Sequence, residues 1–134
     1  MLDPKLLRTE LDSVATKLKR RGFILDTALF NELETKRKKV QVDTQELQNE
    51  RNTKSKSIGK AKAQGEDIQP LLDEVASLGN KLQASEDSLK QIQQQVEELV
   101  LGIPNTPDDS VPDGLSEDDN VVERSWGDRP KFDF

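Results

Sequence analysis

The feature that most constrains this chain is a run of apolar residues spaced alternately three and four apart. Ile68, Leu71, Val75, Leu78, Leu82, Ser85, Leu89, Ile92, Val96, Leu99 and Ile103 keep that spacing without a break, and only Ser85 among them is polar. A half-buried strand would alternate with period two. A sustained average of 3.5 keeps one narrow seam turned toward a partner helix. The spacing therefore predicts a coiled-coil helix over residues 67–102, with Pro70 tolerated in its first turn and Gly102 and Pro104 ending it.

Such a seam needs a partner, and the segment before it supplies one. Leu33, Val40 and Leu47 recur every seven residues, and a helix over 27–58 meets no proline and no glycine. It would reach on the order of 50 Å. Its alternate seam positions are polar or charged, so it is the weaker strand of the pair. Gly59 and Gly65 bracket five residues between the two patterns, which predicts a reversing tip over 59–66.

A short helix over 3–21 should precede these. Asp3 is a good N-cap, Pro4 suits the first helical position, and Leu7, Leu11, Val14 and Leu18 make one stripe. Lys19, Arg20 and Arg21 favour the C-terminal end, and Gly22 suits the left-handed residue after it. The apolar turn Phe23-Ile24-Leu25 is expected to fold back onto the stripe. Asp26 then caps the long helix, with Leu25 and Phe30 placed for a hydrophobic staple.

Residues 104–134 change character. Pro104, Pro107, Pro112 and Pro130, with Asp108, Asp109, Asp118 and Asp119, describe an acidic, extended linker. Val121-Val122 and Trp126 suggest a short strand, and Trp126, Phe132 and Phe134 call for something to pack against. The expectation is an all-α fold: a short N-terminal helix, a long two-helix hairpin and an extended C-terminal linker. With 32% hydrophobic and 34% charged residues, the chain suits thin helices better than a large core.

Charge placement chooses between a hairpin and a parallel dimer. Residues 29–62 carry nine basic and five acidic groups, whereas residues 63–103 carry two and eight. A parallel dimer would stack each arm on its own copy; an antiparallel hairpin sets the basic arm against the acidic one. A monomeric hairpin is expected. Without Cys or His, disulfides, Cys/His zinc sites, Cys nucleophiles and Ser-His-Asp triads are excluded. No apolar run approaches a membrane span and no signal peptide is visible, which suggests a soluble, intracellular chain.

Within residues 51–62 there are five cations and no anion: Arg51, Lys54, Lys56, Lys60 and Lys62. One reading is the solvated end of a coiled coil. The other is a phosphate-contacting surface, in which Asn52, Ser55 and Ser57 add short hydrogen-bond donors. No Tyr or Trp is interleaved, so base stacking is not supported and a duplex backbone read by shape is the better target. A second cluster, Lys36, Arg37, Lys38 and Lys39, surrounds a full helical turn, so at least one member must face the seam. Ile58-Gly59-Lys60 lacks the earlier glycine and the following hydroxyl of a phosphate-cradling loop. Asp118-Asp119 has no partner pattern for a metal.

Several stretches are similar to a known family. Met1-Leu2-Asp3-Pro4-Lys5-Leu6-Leu7-Arg8, Arg20-Arg21-Gly22-Phe23, and Glu50-Arg51-Asn52 leading into Lys56-Ser57-Ile58-Gly59 resemble the start of bacterial seryl-tRNA synthetase. Ile103-Pro104-Asn105, Asp119-Asn120 and Arg124 with Trp126-Gly127 resemble that family's junction into its catalytic domain. The resemblance implies a class II aminoacyl-tRNA synthetase, a cytoplasmic ligase that joins serine to its tRNA with ATP and Mg²⁺ and dimerises through its catalytic domain. It implies that residues 1–103 form the tRNA-binding arm, and that residues 104–134 lead toward a catalytic domain whose motifs have no counterpart here. This fragment is then not an enzyme by itself, with no catalytic residue, metal site or cofactor of its own. Its arm would lie against the long variable arm of serine tRNA, and of selenocysteine tRNA. Arg51, Lys54, Ser55, Lys56, Lys60 and Lys62 are the candidate contacts, with Lys36, Arg37, Lys38 and Lys39 secondary. The alternative is a structural coiled-coil module that binds another protein, which a patch of exposed Leu or Ile in the seam would favour.

Overall fold

A computed structural model describes residues 2–114 and 116–133, and among them the regular structure is all helical. Met1 and Phe134, which the sequence reading used, lie outside the described residues. The elements are α1 (Pro4–Thr9), α2 (Leu11–Arg20), α3 (Thr27–Gln64), α4 (Gln69–Leu101) and a single 3₁₀ turn, Glu117–Asp119. The chain divides into two compact units, one of residues 26–103 and one of residues 2–25 with 104–133.

The first unit is a hairpin of α3 against α4. Asp26 opens α3 as anticipated, its carboxylate accepting from Leu29 N–H at 2.9 Å. All eleven seam positions of α4 are buried or half-buried. On α3 the matching positions are Phe30, Leu33, Arg37, Val40, Thr44, Leu47, Arg51, Lys54, Ile58 and Ala61, again spaced three and four, and Arg51 is the one exposed member. Two cross-hairpin bonds fix the register. Thr44 meets Ser85 at 2.7 Å, and Lys54 meets Glu74 at 2.7 Å. Paired numbers thus add to about 129, which sets Leu47 across from Leu82, Val40 from Leu89 and Leu33 from Val96. The Thr44 hydroxyl donates its one proton to Val40 O at 2.7 Å, so Ser85 donates to Thr44. The polar exception in the α4 stripe therefore faces a polar partner.

The hairpin departs from the sequence reading at its tip. The long helix does not stop at residue 58; α3 runs through Gly59 to Gln64, and the turn shrinks to the residues between Gln64 and Gln69. A mid-helix glycine costs about 1 kcal/mol relative to alanine. Here it is carried by good helix formers on both sides and by Ala61, which is buried at the next seam position. The reversal rests on Gly65, which is left-handed (φ 74°). Gly65 N–H donates to Lys62 O, and Glu66 N–H donates to Ala61 O at 3.0 Å, the two bonds of a Schellman closure. Asp67 accepts from Gln69 N–H at 3.0 Å to start α4.

In the second unit the expected helix over 3–21 is broken. Glu10 leaves the helical region (φ −136°, ψ 37°) and separates α1 from α2. The hydroxyl of Thr9 takes the Lys5 carbonyl at 3.1 Å, a side-chain competitor for the helix ladder at its last turn. The break rephases the stripe: Leu7, Val14 and Leu18 are buried and Leu11 only half so. Asp3 caps α1 and Gly22 closes α2 in a left-handed conformation (φ 73°), as the punctuation predicts.

No strand forms at Val121-Val122 among the described residues. The nearest regular element is the 3₁₀ turn, held by a reciprocal cap between Ser116 and Asp119. Residues 105–113 are extended but tethered to α2. Lys17 pairs with Asp109 at 2.8 Å, Arg20 holds Asp113 and the Val111 carbonyl at 2.6 Å each, and Arg21 donates to the Asn105 carbonyl. Val121, Val122, Trp126 and Phe132 are exposed, with the Arg124 guanidinium 5.7 Å from the centre of the Trp126 ring.

Candidate nucleic-acid interface

The closed end of the hairpin carries the basic stretch. Because α3 continues to Gln64, all five cations from Arg51 to Lys62 sit on one uninterrupted helix, over about 17 Å of its axis. Helical spacing sorts them. Lys56 and Lys60, four apart, share one ridge, and both are exposed. Arg51 and Ser55 are likewise four apart, and Lys62 lies seven beyond Ser55 on that stripe; all three are exposed. Across from Arg51 the register places Leu78, which is buried. Among the described residues, no carboxylate lies within ion-pair distance of Arg51, Lys56, Lys60 or Lys62.

Lys54 differs from these. It occupies a seam position, and its ammonium reaches Glu74 on α4 at 2.7 Å, with 38% of the Lys54 side chain and 52% of the Glu74 side chain still open to solvent. The Glu74 hydrogen bond, and then its charge, raise the Lys54 pKa above the ordinary lysine value. Glu74 was not legible from motifs. The signal for it was the register itself, since a residue near 129 minus 54 faces Lys54.

The second cluster is divided by the fold. Arg37 is the member that faces the seam. It forks onto the buried Glu34, with its Nη2 3.0 Å from Glu34 Oε2, and its Nη1 donates to Gln41 at 2.6 Å. The opposing helix was the expected source of partners, but these lie on α3 itself. Lys36 pairs with Glu32 at 2.6 Å, four residues earlier. Lys38 and Lys39 are exposed. Two of the four cations are therefore committed to carboxylates within α3.

In the second unit, Arg20 and Arg21 line a shallow cavity with Pro107, Val111, Pro112, Asp113 and Gly114. Both guanidiniums are already engaged there, and the hydrogen bond from Asp113, followed by its charge, raises the Arg20 pKa. Asp108 accepts from the Ser110 N–H and hydroxyl, which lowers its pKa.

The family model for the seryl-tRNA synthetase N-terminal domain matches residues 1–107. The chain belongs to that family. Among its relatives, the serine–tRNA ligase of Hydrogenovibrio crunogenus is 63% identical over 134 residues, which are all of this chain and 31% of that ligase. The serine–tRNA ligase of Methylococcus capsulatus is 58% identical over the same span. A crystal structure of seryl-tRNA synthetase from Pyrococcus horikoshii, complexed with ATP, superposes with a TM-score of 0.81 at 28% identity, covering 95% of this chain and 29% of that one. The chain thus spans about a third of the length of the curated relatives it matches.

As a member of this family, the chain presents a surface suited to binding and not to bond making. Among the described residues no three potential ligands gather to hold a metal ion, and Asp118 and Asp119 belong to the capped 3₁₀ turn. The residues present do not form a site for Mg²⁺ with ATP, so no step is routed through that pair here. Among the same residues no helix is long and apolar enough to cross a membrane.

Proposed function

We propose that this chain is the tRNA-binding arm of a serine–tRNA ligase. The hairpin tip lies along the backbone of the long variable arm of serine tRNA, and of selenocysteine tRNA, so that the full-length enzyme attaches serine to it. ATP, Mg²⁺ and the catalytic groups belong to the two thirds of the relatives' length that this chain does not span. The full-length enzyme acts in the cytoplasm as a homodimer through that region, and the arm itself is monomeric. The exposed Val121, Val122, Trp126 and Phe132 await a docking surface there.

The observation that carries this reading is the run of exposed, unneutralised cations at the closed end of α3. Arg51, Lys56, Lys60 and Lys62 meet no carboxylate, although α4 is strongly acidic elsewhere. Ser55 adds a hydroxyl donor on the same stripe. Phosphate contacts of this kind position a protein on a duplex without reading its bases. The protein-interaction alternative called for exposed apolar seam residues, and every seam position of α4 is covered. A gel shift with serine tRNA, against the same tRNA lacking its long variable arm, tests the proposal. Retention of the first and loss of the second supports it; equal binding of both rejects it.

A further inference from the structure

We infer that Glu74 is a built-in competitor for Lys54, holding that ammonium on the hairpin until an RNA phosphate takes its place, so that binding at the tip includes an ion-pair exchange. This rests on the proposed function and adds a restraint on the affinity of that same surface.

Three observations lead to it. First, the geometry is specific to Lys54. Of the five tip cations it alone, among the described residues, has a carboxylate at 2.7 Å, and that carboxylate comes from the opposite helix. Second, both partners are accessible. With 38% and 52% of their side chains exposed, a phosphate oxygen can approach the ammonium without opening the seam, and the displaced Glu74 passes directly into water. Third, the pair is weak enough to exchange. Exposed ion pairs hold by a small margin, and a phosphate offers the same ammonium an equivalent charged acceptor. Glu50, four residues earlier on α3, also acts on Lys54 through its charge, but the hydrogen bond belongs to Glu74.

The exchange has a cost that the other tip cations do not bear. When Lys54 leaves for the backbone, an uncompensated carboxylate remains beside a dense row of phosphates. Glu74 therefore weakens the complex, and since related complexes differ mostly in dissociation rate, it speeds release. A synthetase arm must let its charged product go, and a competitor of this kind moderates affinity without removing a contact.

The test uses this whole chain as wild type, Glu74→Gln, Lys54→Gln and the double variant. Each is checked for an unchanged helical melt and then titrated with fluorescently labelled serine tRNA over a salt series. Glu74→Gln should tighten binding about two- to fivefold, the worth of one exposed ion pair, mainly by slowing dissociation. It should also steepen log affinity against log salt by somewhat under one unit. In the Lys54→Gln background the same Glu74→Gln change should give no gain. A gain that persists without Lys54 would show that Glu74 acts through general repulsion, and no gain in either background would show that Lys54 never leaves it; either overturns the inference. Failure of the wild type to bind serine tRNA would instead overturn the proposed function, and the competitor with it.

Discussion

Leu82→Ala probes the seam where the structure makes a graded forecast. Leu82 is 3% exposed and lies across from Leu47, whereas Leu89, one heptad on and across from Val40, is half-buried. Removing three carbons from a buried site forfeits about 2.4 kcal/mol of transfer free energy, at ~0.8 kcal/mol per methylene. A cavity adds to this in a thick core. A two-helix seam can close part of the gap, which keeps the total near about 3 kcal/mol. Leu89→Ala starts from partial exposure and should cost roughly 1–2 kcal/mol. Urea unfolding followed by far-UV circular dichroism measures both. With a slope of about 2 kcal/mol per molar, Leu82→Ala should lower the midpoint by about 1.5 M at unchanged slope. A loss below about half a kcal/mol at Leu82, or a larger loss at Leu89 than at Leu82, would mean that the register pairing Thr44 with Ser85 is wrong.

Gly59→Ala should stabilise the chain by about 0.5–1 kcal/mol, because the glycine is helical and nothing lies within 4 Å of an added Cβ; a loss of stability in thermal melts would restore the turn to residue 59. Gly65→Ala should cost about 1 kcal/mol in the same melts through its left-handed backbone alone, since the space there is equally open. Replacing Lys54, Lys56, Lys60 and Lys62 together by Ala should flatten the salt dependence of serine tRNA binding by up to about three units while helicity persists; an unchanged slope would move attention to Lys38 and Lys39. The Asp108 carboxyl, depressed first by the Ser110 N–H and then by its hydroxyl, should titrate below the usual ~3.9 in an NMR pH series. What that turn contributes is present above that pH and is lost as pH falls through the lowered value, and Ser110→Ala should return the midpoint only part of the way.

The α4 seam was legible because ten of its eleven positions are apolar, and period 3.5 leaves little else for such a run to do. The α3 seam was only half legible. Arg37, Thr44, Arg51 and Lys54 occupy contact positions with polar side chains, and hydropathy alone does not mark them. Gly59 misled because a glycine followed by Gly65 reads as a turn, while buried Ala61 is too small to signal a core position. The break at Glu10 had no glycine or proline to announce it. The basic tip was legible as composition, yet which of its cations is held back depends on a carboxylate twenty residues away on another helix. The pairing inside the second cluster was hidden for the opposite reason: Glu32 and Glu34 are close in sequence, but only the helix decides which lysine or arginine each meets.

The tight reversal at Gly65 has an electrostatic consequence. It brings the C-terminal end of α3 and the N-terminal end of α4 to the same place, a few residues apart. A helix presents about half a negative charge at the first kind of end and about half a positive charge at the second. Side by side they cancel, so the backbone of the tip offers a polyanion neither welcome nor rebuff. Whatever field the hairpin projects from its closed end is written in side chains, and a handful of lysine and glutamate substitutions can redraw it without moving a helix.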